Sequence, residues 1–249
     1  MTNTSETGHA KNVTNLESLI TSIIALETSY NPSRDSIKLP ALQALLTAST
    51  ESLNAVNIAQ AAYSNAVAAR KFAFEPFSKL ITRVMNSLKA SGASTQVVQS
   101  ARTIVRKLQG RRASAKITEE EKKALEAEGK EVNQISASQM SFDNRIENFD
   151  RLIMLLSSIP LYNPNEAELK VETLKALHNQ LKEKNTEVIL PIVQLSNSRI
   201  ARNKILYSEN TGLVDVALDS KTYIKSIFGA TSPQYKQISK LRFIRPKRR

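Results

Sequence analysis

The chain has 249 residues, 41% hydrophobic and 5% aromatic, with a formal net charge of +12. It has no Cys, so disulfides and thiol chemistry are excluded, and with few aromatics and no Trp a core of Leu, Ile, Val and Ala is expected. No run approaches the roughly 18 uninterrupted apolar residues of a membrane-crossing helix, and Met1 to Asn12 carries no apolar signal core, so a soluble, cytoplasmic protein is expected.

Residues 1–11 are polar and are expected to form a disordered tail. A first helix follows, with Val13, Leu16, Leu19, Ile20, Ile23 and Ile24 recurring on one face at the 3.6-residue period. Tyr30-Asn31-Pro32 is a turn, because Pro lacks a donor and Asn tolerates unusual backbone angles. From about Pro40 to Phe74 the spacing predicts one helix roughly 50 Å long. Pro76 then opens a third helix carrying Phe77, Leu80, Ile81, Val84, Met85 and Leu88, which Gly92 ends. A fourth is expected over Ser94–Leu108, stopped by Gly110. Thr118 and Glu121 form a capping box ahead of a segment charged all round, expected as a solvated connecting helix.

The plan then repeats. Tyr162-Asn163-Pro164 matches Tyr30-Asn31-Pro32 at an offset of 132 residues, and the same offset pairs Leu42 with Leu174, Val56 with Val188 and Ala69-Arg70 with Ala201-Arg202. An offset of 133 pairs Leu19-Ile20 with Leu152-Ile153. Such a period sets the architecture. Pro191 lies where the first stretch has Ala59 and should kink the second long helix. Helix three of this stretch carries Leu213, Val216, Ile224 and Ile227, and helix four starts at Ser232-Pro233. With no sustained period-two alternation, the expected fold class is all-α. It is a tandem duplication of a roughly 110-residue four-helix module, giving two lobes joined by a charged connecting helix. The expected organisation is tail 1–11, repeat one 12–112, connector 113–141, and repeat two 142–249 with a basic C-terminal tail. Cleavage in the connector is expected to release two folded lobes.

Charge is distributed unevenly. No acid lies between Glu75 and Glu119, against nine basic residues, and none follows Asp219, where nine more basic residues stand. Both stretches therefore end in acid-free basic helices. Such faces attract phosphates largely by releasing condensed counterions. The candidate nucleic-acid-binding residues are Arg102, Arg106, Lys107, Arg111 and Arg112, with Lys236, Lys240, Arg242, Arg245, Lys247, Arg248 and Arg249 in the second stretch. No zinc-finger ligand set, basic-region zipper or base-stacking aromatic motif accompanies them, which argues against base-specific readout.

Catalytic signatures are missing. There are two histidines, His9 in the tail and His178 on a partly apolar face, where a packed or boundary role is expected. No phosphate loop, dinucleotide fingerprint, Gly-x-Ser-x-Gly elbow, paired His spacing or Glu-x-x-His pattern occurs, so no enzyme, metal, cofactor or small-molecule substrate is expected. The polar positions shared by both stretches, Ser64-Asn65 with Arg70 and Ser196-Asn197 with Arg202, are expected to hold the long helices in register. The sequence thus points to a non-catalytic helical binding or scaffold protein that engages nucleic acid or another polyanion without strong sequence preference. The alternatives are a self-assembling structural protein with quasi-equivalent interfaces and, a distant third, a membrane-active helical protein.

Overall fold

The computed structural model describes residues 6–111 and 140–246. Every regular element among them is helical: α1 (Glu6–Ile24), α2 (Leu39–Phe74), α3 (Phe77–Ala90), α4 (Thr95–Leu108), α5 (Phe142–Ser157), α6 (Val171–Thr186), α7 (Ile189–Tyr207), α8 (Leu213–Phe228) and α9 (Pro233–Ser239). Short 3-10 turns stand at Glu27–Ser29, Asp35–Ile37 and Ala167–Leu169. No helix among the described residues is long and apolar enough to cross a membrane.

Local chemistry accounts for most boundaries. Pro76 precedes the first residue of α3, and Ser232 caps α9 by accepting from the Tyr235 N–H at 3.1 Å, with Pro233 in the first turn. Gly92 and Gly229 follow α3 and α8 at φ of +78° and +84°, backbone angles that a side chain with a Cβ resists. The expected kink at Pro191 is a full break. α6 stops at Thr186 and α7 restarts at Ile189, because Pro191 has no N–H for the Glu187 carbonyl and its ring crowds that group. The first stretch has Ala59 there, and α2 runs unbroken for 36 residues. The expected connector helix, its Thr118 and Glu121 included, lies outside the described residues, Met140 and Ser141 apart.

The chain divides into two compact units, Met1–Ser64 with Leu190–Arg249, and Asn65–Ile189. This differs from the expected boundaries at 12–112 and 142–249. The division falls within the second helical region of each stretch, so each unit draws on both. The reason is packing choice. The apolar face of α1 meets α8, not the third helix of its own stretch, and α5 meets α4 and α6.

In the first unit, Leu16, Leu19, Ile20 and Ile23 of α1 join Leu42, Leu206, Leu213, Ala217, Ile224 and Ile238 in one core. Tyr30 donates its hydroxyl to the Ile37 carbonyl at 2.7 Å, closing the turn that leads into α2. In the second unit, Phe77, Ile81, Val84 and Leu88 of α3 and Ala101, Val105 and Leu108 of α4 pack on Phe149, Leu152, Ile153 and Leu156 of α5. Phe77 and Phe149 meet edge to face with centroids 4.8 Å apart. Tyr162 donates to the Leu169 carbonyl at 2.8 Å, the same bond seven residues on as in the first unit, and burial pushes its hydroxyl up to about 12.

The N-terminal expectation needs correction. Residues 6–11 are not tail but the first turns of α1. His9 is 4% exposed and its Nδ1 lies 2.6 Å from the Tyr207 hydroxyl. Arg242 and Ile244 are held by the same helix. The Asn12 amide donates to the Ile244 carbonyl at 2.8 Å and accepts from the Ile244 N–H at 3.0 Å, and the Asn15 amide donates to the Arg242 carbonyl at 2.7 Å. α9 stops at Ser239 where α4 continues for two more turns. Lys221 accounts for this, since its ammonium donates to the Ser239 and Leu241 carbonyls at 3.2 and 2.8 Å and so satisfies the helix end.

Candidate polyanion-binding surface

α3 and α4 form an antiparallel hairpin about Gly92. The Gln109 amide donates to the Thr82 hydroxyl at 2.9 Å and fixes the register of the two helices. That register places Lys89 opposite Arg102. Between the helices lies a groove of about 300 Å³ lined by Lys89, Arg102, Arg106 and Arg111, with Thr82, Asn86 and Gln109 among them and Met85 and Val105 along its floor. Among the described residues four cations line it and no carboxylate does. Arg106 donates to the Thr103 hydroxyl at 3.1 Å and Arg102 reaches Gln99 at 3.5 Å, both neutral partners. Among the described residues none of these four cations forms an ion pair.

Of the sequence-derived candidates, the structure brings Arg102, Arg106 and Arg111 together here, while Lys107 lies half-buried on α4 away from the groove lining. Arg112, Lys247, Arg248 and Arg249 lie outside the described residues. Lys89, Asn86 and Gln109 belong to the groove and were not among the candidates. The antiparallel register around Gly92 is the signal that could have found them. Arg83, also on α3, pairs instead with Glu168.

The first unit is different. Lys236, Lys240 and Arg242 are exposed, but Arg245 is committed to structure. It pairs with Asp215 at 2.6 Å and donates to the Tyr207 carbonyl at 2.8 Å. The hydrogen bond from Arg245 holds the Asp215 carboxyl below its ordinary range. Lys221 caps α9, and burial lowers its ammonium. The C-terminal basic residues as far as 246 are therefore neither a loose arm nor a ragged end. The two basic faces are unequal, because in the first unit two of the cations are bound internally.

The other singled-out residues serve packing. Arg70 donates to the Asn185 side chain at 3.0 Å and lies 4.1 Å above the Phe142 ring, tying α2 to α6. Arg202 is buried and bonds Asn203 at 3.0 Å. Arg145 stacks over Phe74 and Phe77 at 4.9 and 5.1 Å, and burial lowers its guanidinium. Half-buried His178 lies 6.1 Å from the Phe149 ring. Among the described residues no cluster of three potential metal ligands occurs. The chain matches no family model, no curated protein and no solved structure.

Proposed function

We propose that this is a non-catalytic, cytoplasmic helical protein that binds nucleic acid or another polyanion through the α3–α4 groove. The observation that carries the reading is the convergence of Lys89, Arg102, Arg106 and Arg111 on one groove with no carboxylate among the described residues that line it. The lining includes no aromatic side chain on which a base could stack, and the guanidinium forks suit phosphate oxygens. Backbone contact, insensitive to sequence, follows from that inventory. A tandem duplication behind the architecture is supported by three kinds of agreement: the Tyr30 and Tyr162 bonds, the buried Leu42 and Leu174, and the α1 and α5 faces at an offset of 133.

The test is fluorescence anisotropy with labelled duplex DNA and single-stranded RNA at about 50 and about 200 mM salt. Binding is expected to weaken steeply with salt. Replacing Lys89, Arg102, Arg106 and Arg111 with Gln should reduce the slope by up to about four phosphate contacts. Replacing Lys236 and Lys240 should change it less. An unchanged slope in the fourfold variant would remove the groove from the account.

A further inference from the structure

The first unit is assembled from the two ends of the chain, residues up to Ser64 and residues from Leu190, while the second is one uninterrupted stretch. Its closing contacts are correspondingly remote in sequence. Arg34 pairs with Asp219, His9 meets Tyr207 and Asn12 holds Ile244, separations of 185, 198 and 232 residues. The second unit keeps its own core, from Phe74 to Leu181, within its own stretch. Opening the first unit therefore takes no residue away from the second.

We propose that the first unit also closes between chains, with the N-terminal segment of one copy docking on the C-terminal segment of a second copy. The same atoms then make the same contacts, so no new surface is required. The surface is a domain core cut in two, with Leu16, Leu19 and Ile23 on one side and Leu213, Ala217 and Ile224 on the other. Closure within one chain wins in dilute solution, because a tether supplies an effective concentration on the order of millimolar. Exchange takes over when chains close at comparable concentration. Each copy offers one segment of each kind, so reciprocal exchange yields a dimer and unreciprocated exchange an open, head-to-tail series.

Two full-length variants test this. Leu19→Asp damages the N-terminal segment and Ile224→Asp the C-terminal one, both at fully buried positions. Neither variant alone has a sound pair, whereas a mixture offers one sound pair per two chains. Equimolar mixing is expected to produce a two-chain particle by light scattering and a gain in helical circular dichroism, with neither in the separate samples. A mixture that equals the mean of its components would overturn the proposal. The wild-type chain provides a second arm that does not depend on the variants. Two differently tagged wild-type populations, unfolded and refolded together, should yield particles carrying both tags, in a fraction that rises with refolding concentration. Single-tag monomers at every concentration would refute exchange.

Discussion

Cutting the chain once, inside residues 112–139, separates two ways of building this protein. A site-specific protease sequence inserted there leaves one fragment with α1 to α4 and another with α5 to α9. If each sequence stretch were its own lobe, the fragments would part as folded bodies. In the structure both units draw on both fragments, so each half carries the other's core. In the second unit Phe149, Leu152, Ile153 and Leu156 are essentially fully buried, and in the first Leu16, Leu19 and Ile23 are. At about 1.5–3 kcal/mol for each, these seven side chains alone supply roughly 10–20 kcal/mol of gross association energy. Joining two chains costs about 4–15 kcal/mol. Tyr162, Leu169, Leu174 and their counterparts Tyr30, Ile37 and Leu42 add to the favourable side. The cleaved protein is thus expected to elute as one particle at micromolar concentration, retain its helical signal, and melt at a temperature that now depends on concentration. Gel filtration after cleavage reads the result. Two separate peaks, each still helical and cooperative in melting, would refute the exchanged arrangement.

Tyr162→Phe leaves the Leu169 carbonyl without its donor in a buried turn, and should cost about 1–3 kcal/mol in thermal or denaturant unfolding; Tyr30→Phe should do the same through Ile37. Losses below about 0.5 kcal/mol in both would remove these bonds from the account of the turns. The Tyr162 hydroxyl is raised to about 12 from 10.0, so its contribution is full below pH 10.0 and is lost as pH rises through about 12. Asp215 behaves in the opposite sense. Its folded carboxyl is depressed below 3.8 by the Arg245 bond, so its contribution is present above that value and lost as pH falls through the folded pKa. Acid should therefore loosen the C-terminal segment, read as a lower hydrogen-exchange protection factor, the observed rate corrected for the intrinsic rate at each pH, at the Ile244 amide that Asn12 holds. Asp215→Asn should abolish the pH dependence of that protection, and equal protection in acid and at neutral pH in the unsubstituted chain would exclude the pair as the latch.

Individual elements were legible wherever a residue acts on its immediate neighbours. Pro76, the Ser232-Pro233 pair, Gly92 and the Tyr-Asn-Pro turns punctuate the chain through their own backbone restrictions. The inward faces of α3 and α4 follow from period alone. Residues 6–11 were misjudged because their composition is polar, while His9 and Asn12 are buried by bonds to Tyr207 and Ile244, nearly the whole chain away. The basic groove was half visible. A count of charges finds Lys89, Arg102, Arg106 and Arg111 among nine basic residues, but only the register of two packed helices sets these four on one groove and adds Asn86. Only an ion pair with Asp215 removes Arg245 from the free charges.

What the sequence by itself determined is the all-helical class, many of the helix boundaries and most of the inward-facing positions, Ile24 and Ile227 being exposed exceptions, because these depend on interactions within a few residues. What only the tertiary structure decided is which helix meets which. The apolar face of α1 and that of α5 follow one pattern at an offset of 133 residues, so pattern alone allows either to pack on either hairpin. The choice rests on side-chain fit and on individual bonds, such as Asn12 to Ile244, Asn15 to Arg242 and Phe149 against Phe77, which periodicity does not encode.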